Sequence, residues 1–102
     1  MVDISIDERG TGIVASLSGR LTFQDHTSFL EIVDRLKKVG TGKLTLDLNG
    51  LEFIDSAGMG MFLLAQEKAR ETGARIALRG ARGPVKEILS VVKFDALFEI
   101  LD

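Results

Sequence analysis

A chain of 102 residues fits one domain, expected to span residues 1–102, and its 45% hydrophobic content is enough to close a single core. With 13 basic against 15 acidic residues and no cysteine, the composition excludes disulfides and thiolate metal sites. It also argues against a nucleic-acid partner, whose binding needs a basic surplus to displace counterions. Met1-Val2-Asp3-Ile4-Ser5 lacks the pattern of a secretory leader, and the longest apolar run, near Met61 to Ala65, is too short to span a bilayer, so a soluble cytoplasmic protein with no membrane partner is expected.

Val2, Ile4 and Ile6 alternate with Asp3, Ser5 and Asp7, the period of a half-buried strand. Glu8 to Gly12 reads as a turn, and Ile13 to Ser18 alternates again with Ile13, Ala15 and Leu17 on one side, so the two runs predict a hairpin or adjacent strands. From Asp25 to Val39 the period changes. Phe29, Ile32, Val33, Leu36 and Val39 form one helical stripe, which Gly40 ends. Ser28 and Glu31 have capping-box spacing, with Asp25 and Thr27 as alternative starts. Lys43 to Asn49 predicts a strand, and Leu51 to Ile54 continues it or turns. A helix follows from about Ala57 to Thr72, closed by Gly73. Arg75 to Arg79 is a short strand. Gly83-Pro84 opens a helix with a stripe of Val85, Ile88, Leu89 and Val92, and Leu97 to Leu101 is a last strand. The order β-β-α-β-α-β-α-β predicts an α/β fold, a mostly parallel sheet of about five strands covered by helices.

The informative segment runs from Leu44 to Gly60, LTLDLNGLEFIDSAGMG. Its Asp55-Ser56-Ala57-Gly58 turn between a strand and a helix resembles the signature of the STAS domain family. Gly19-Arg20-Leu21 and the stretch from Phe94 to Ile100 extend the resemblance over nearly the whole chain, which looks most similar to stand-alone bacterial anti-sigma-factor antagonists. The resemblance implies the STAS fold and a protein-binding regulator rather than an enzyme, with no cofactor and no metal. Unmodified protein would bind an anti-sigma factor, often a serine kinase, and so free a sigma factor. Phosphorylation of Ser56 would block binding, and a serine phosphatase would reset the switch. Partner contacts are expected at Asp55, Ser56, Ala57, Gly58, Met59 and Gly60, with Thr22 and Asp25 from the loop before the first helix, on a protein monomeric when free.

Physical chemistry gives Ser56 two readings. At a first helical turn, free N–H groups and the positive dipole end tolerate a phosphate; equally, the serine is a plain N-cap. Gly58 and Gly60 either admit a partner or let the helix pack on the sheet. Apolar residues of Met59 to Ala65 that stay outside the core would form a patch beside Ser56. A serine hydrolase needs a positioned base, for which His26, with Asp25 or Asp55, is the sole histidine candidate; Ile54 stands where a nucleophile elbow needs glycine. Arg75, Arg79, Arg82 and Lys86 concentrate positive charge, either as a solvated surface or as a site for an acidic partner.

Two departures from the family pattern bear on these expectations. Thr22 stands where many members have aspartate after the Gly-x-Leu step, with Asp25 three positions on. Related domains often continue into another helix after the last strand; either that helix is absent here or it lies beyond the given residues, and one sheet face is then expected to be less covered. The rival reading is a scaffold or signalling module in a sensory, biofilm-control or transport assembly without a sigma factor.

Overall fold

The computed structural model describes residues 1–9, 12–40 and 42–101. Gly10 and Thr11 of the expected first turn, and the side chain of Val39, lie outside the described residues. The strands are β1 (Val2–Arg9), β2 (Gly12–Leu21), β3 (Lys43–Ile54), β4 (Arg75–Arg79) and β5 (Glu99–Leu101); the helices are α1 (His26–Val39), α2 (Ser56–Thr72) and α3 (Gly83–Val91). The sheet runs β1-β2-β3-β4-β5, antiparallel at β1–β2 and parallel elsewhere. This is the α/β, mostly parallel architecture that the alternation of strand and helix patterns predicts.

The register fixes which residues share a face. Ile4 opposes Leu17 and Ile6 opposes Ala15; Ala15 lies beside Leu46, Leu46 beside Leu78, and Leu78 beside Ile100. This stripe meets the buried helical residues Phe29, Ile32 and Leu36 of α1 and Phe62, Ala65 and Ala69 of α2. The Phe29 and Phe62 rings lie 5.8 Å apart and join the two helices. Alternate strand residues make the other face, where Ser5, Ser16, Ser18 and Asp47 line a shallow hollow.

Two boundaries that the sequence leaves open are decided by the structure, and one differs from the sequence reading. β3 runs unbroken to Ile54, because β2 accompanies it as far as the Leu21–Ile54 pair, with register shifts between Ser16 and Ser18 and between Gly19 and Arg20. The last strand begins at Glu99 rather than Leu97. Phe94–Ala96 form a 3-10 turn, and the amides of Leu97 and Phe98 both donate to the Phe94 carbonyl, which removes them from the sheet ladder. The chain enters α1 through a 3-10 turn at Phe23–Asp25, so of the starts the sequence offers, α1 takes Asp25, which pairs with Thr22, and not Ser28 with Glu31. Among the described residues no helix is long and apolar enough to cross a membrane.

Candidate functional site

The Asp55–Gly60 turn sits where β3 hands over to α2. Asp55 has extended backbone, and its N–H donates to the Leu21 carbonyl at 3.2 Å, prolonging the β2–β3 pairing by one rung. Its carboxylate then does two jobs. Oδ1 accepts the Gly58 N–H at 2.7 Å, capping α2, and Oδ2 accepts the Phe23 N–H at 3.3 Å. The helix cap is therefore Asp55, which corrects the reading of Ser56 as an N-cap. Ser56 is the first residue of α2, exposed, with its hydroxyl making no hydrogen bond among the described residues. It sits at the helix end whose free N–H groups favour added negative charge.

The two glycines separate. A Cβ on Gly58 would lie 2.7 Å from Ile54 Cγ1 and 2.8 Å from the Leu21 carbonyl oxygen, so this glycine lets the helix pack onto the sheet. A Cβ on Gly60 would meet nothing within 4 Å, and the space above it is open. On a helix of 3.6 residues per turn, Ser56, Gly60 and Leu63 lie on one line. Leu63 is 43% exposed, while Met61, Phe62 and Ala65 are buried and Met59 is half-buried. Ala57 is exposed. Phe23, its amide tied to Asp55, is 69% exposed. An apolar patch thus flanks the serine on two sides. Leu63 belongs to the segment in which the sequence expects such a patch. Phe23 does not, because a phenylalanine beside a helix start reads as core, and only its position in a turn hints otherwise.

The loop pair Thr22 and Asp25 has a different character. Asp25 is 3% exposed. Its Oδ1 accepts the Val2 N–H at 3.0 Å, and its Oδ2 accepts the Thr22 N–H at 3.0 Å and the Thr22 hydroxyl at 3.4 Å. Burial by itself would raise the Asp25 pKa. The Thr22 and Val2 amides, the chain's positive N-terminus and the Thr22 hydroxyl outweigh it and hold the group below its usual value. The carboxylate is spent inside the protein, and it corrects the expectation of a partner contact: Asp25 positions Thr22, which is half-buried, and pins the first strand.

The paper triad does not assemble. His26 is exposed at the start of α1, no hydrogen bond joins it to Ser56, and the oxygens of Asp25 and Asp55 are taken by backbone amides. Among the described residues no group of three or more His, Cys, Asp or Glu side chains gathers as metal ligands.

The family model described as "Mlab, STAS domain" matches residues 4–101. The chain is 29% identical over 91 residues, 89% of each protein, to the STAS-domain containing protein PA14_20770 of Pseudomonas aeruginosa. The fold is similar to that of the Thermotoga maritima protein TM1081, described as a candidate anti-sigma factor antagonist, with a TM-score of 0.85 at 21% identity over 97% of this chain and 86% of that one. It is also similar to the anti-sigma factor antagonist SpoIIAA in its unphosphorylated form, with a TM-score of 0.78 at 17% identity over 98% of this chain and 88% of that one. The phosphorylated form of SpoIIAA, a Bacillus cell fate determinant, superposes with a TM-score of 0.74 at 14% identity over 96% of this chain and 90% of that one.

Proposed function

Because the chain belongs to the STAS domain family, we propose that it is a binding protein switched by phosphorylation of Ser56, whose unmodified form captures an anti-sigma factor and so frees a sigma factor. The observation that carries this reading is the exposed, unbonded Ser56 hydroxyl at the first turn of α2, between exposed Phe23 and Leu63. In this reading Phe23, Gly60 and Leu63 form the contact with the partner, and Asp55 and Gly58 build the turn that presents them. A serine kinase, which is often the anti-sigma factor itself, adds the phosphate and a serine phosphatase removes it. The protein works in the cytoplasm, is monomeric when free, and catalyses no reaction of its own.

The energetics suit a switch. A phosphate brings about −1.5 to −2 charges at pH 7. Beside the Asp55 carboxylate, and against a partner's apolar surface, desolvation and like-charge contact would cost several kcal/mol, or about a hundredfold or more in affinity. The positive end of α2 keeps the modified helix folded, so the loss falls on the interface.

The test is affinity capture from cells with Ser56→Ala and Ser56→Asp, followed by mass spectrometry for the partner and for phosphate on Ser56. Ser56→Ala should retain an anti-sigma factor and Ser56→Asp should release it. Equal capture by the two variants would sink the switch. The second reading is a module of a sensory, biofilm-control or transport assembly that uses the same face without a sigma factor. Recovery of components of such an assembly in place of an anti-sigma factor would select it.

A further inference from the structure

The fold divides the basic run Arg75, Arg79, Arg82 and Lys86. Arg79 pairs with Asp47 at 2.9 Å. Arg82 and Lys86 instead border a cleft of about 440 Å³ between α3 and the C-terminal ends of β4 and β5, on the Leu78–Ile100 face of the sheet, with Asn49 lining both it and the serine-lined hollow. The cleft has a simple origin. β4 stops at Arg79 and β5 at Leu101, while β3 continues to Ile54 with β2 along its other edge, so beyond Asp47 no strand fills the space on the β4 side of β3. Leu78, Leu89, Ile100 and Leu101 supply apolar walls, and Ile100 is 48% exposed although it lies in register with buried Leu78.

The polar groups are distributed unevenly along this cleft. At one end the Arg82 guanidinium donates through Nη2 to the Asn49 carbonyl at 2.7 Å, which fixes its position and leaves its other N–H groups available. Lys86 follows one turn later on α3, and Ser90 one turn after that. Neither Arg82 nor Lys86 pairs with a carboxylate among the described residues. Asp95, which also lines the cleft, follows α3, a helix about 13 Å long by its rise per residue, so a negative group stands beyond the helix end opposite Arg82. The volume falls within the range of about 300–1,000 Å³ common for small-molecule sites, which are apolar with a few polar groups that set orientation.

We infer that this cleft binds a single-chain amphiphile with one anionic head group, the head between Arg82 and Lys86 and the alkyl chain along Leu78, Leu89 and Ile100. Charge complementarity selects the head, since a guanidinium fixed on the Asn49 carbonyl and, one helical turn on, a lysine with no carboxylate partner among the described residues both line the cleft. Asp95 at the other end disfavours a second negative charge, and the apolar walls select hydrocarbon for the body. The inference is independent of the Ser56 switch and concerns a separate region of the surface.

The experiment is an NMR titration of the full-length, ¹⁵N-labelled chain with monomeric decanoate, compared with decan-1-ol and decyltrimethylammonium. Saturable shifts confined to the amides around Gly80, Ala81, Lys86, Ser90 and Ile100 are expected with decanoate. Decan-1-ol should bind about tenfold more weakly or worse, and the cation not at all. Lys86→Gln should weaken decanoate by about tenfold, and Ser90→Trp, which fills the cleft from an exposed position, should abolish the shifts. Equal binding of the alcohol, shifts spread to Phe23 and Leu63, or no saturation would overturn the inference. So would capture by phosphatidylglycerol vesicles without binding of monomeric decanoate, or binding of an acidic amphipathic peptide to these same amides when decanoate fails.

Discussion

Two turns in this protein are built alike and serve different ends. In each, an aspartate at the entry to a helix accepts an amide three residues away and a second amide from a distant segment: Asp25 takes Thr22 and Val2, and Asp55 takes Gly58 and Phe23. Asp25 is buried, and its distant partner is the first residue of an edge strand, so the pair closes the end of the sheet. Asp55 is half-buried, and its distant partner carries an exposed phenylalanine, so the same chemistry holds an apolar side chain next to a free serine hydroxyl. Similar bonding, directed back to Thr22 by Asp25 and forward to Gly58 by Asp55, thus yields a structural staple in one place and a presentation device in the other, and exposure of the groups being held makes the difference.

The strongest way to break this comparison is to remove both carboxylates in turn. Asp25→Ala leaves one buried and one half-buried amide without their charged acceptor and should cost about 3 kcal/mol in urea unfolding, whereas Asp55→Ala should cost about 1 kcal/mol, the usual loss of a helix cap. Equal losses would show that the burial difference is energetically empty. The glycines sharpen the contrast within the second turn. Gly58→Ala drives a methyl against Ile54 and the Leu21 carbonyl and should destabilise by about 1–3 kcal/mol, while Gly60→Ala should be neutral or stabilise by up to about 1 kcal/mol. Phe23→Ala separates presentation from stability. Its unfolding free energy should change by no more than about 0.5 kcal/mol, and capture of the partner should fall about tenfold. A large stability loss with unchanged capture would place Phe23 with Asp25 instead.

The smallest effect is on acid stability. The folded Asp25 pKa lies below its unfolded value of 3.8. Its stabilisation is therefore fully present above pH 3.8 and is lost as the pH falls through the lower folded value. Asp25→Asn should unfold at a lower urea concentration at neutral pH, and its midpoint should fall less steeply below pH 3.8 than that of the parent. Asp47 is pulled the same way: burial would raise it, but the Asn49 amide, Arg79 and the Asn49 side chain prevail, so both proteins retain some acid sensitivity. Parallel acid profiles would remove Asp25 from the set of stabilising carboxylates.

Period and punctuation alone determined the element order, the core stripes and the parallel sheet. Ile13, Ala15 and Leu17 are buried as their alternation requires, and Phe29, Ile32 and Leu36 as their helical spacing requires. The Asp55-Ser56-Ala57-Gly58 turn was legible for the same reason, because its bonding to Gly58 is local and the motif is contiguous. Only the tertiary structure decided that Asp25 is sealed in, that Phe23 is held outside, and that Arg79 and Arg82 part company. Val2 lies 23 residues from Asp25 and Asp55 lies 32 from Phe23, so no local pattern records these contacts. A side chain's periodicity fixes which face of its own element it occupies, but the burial of a turn depends on which remote segments settle over it.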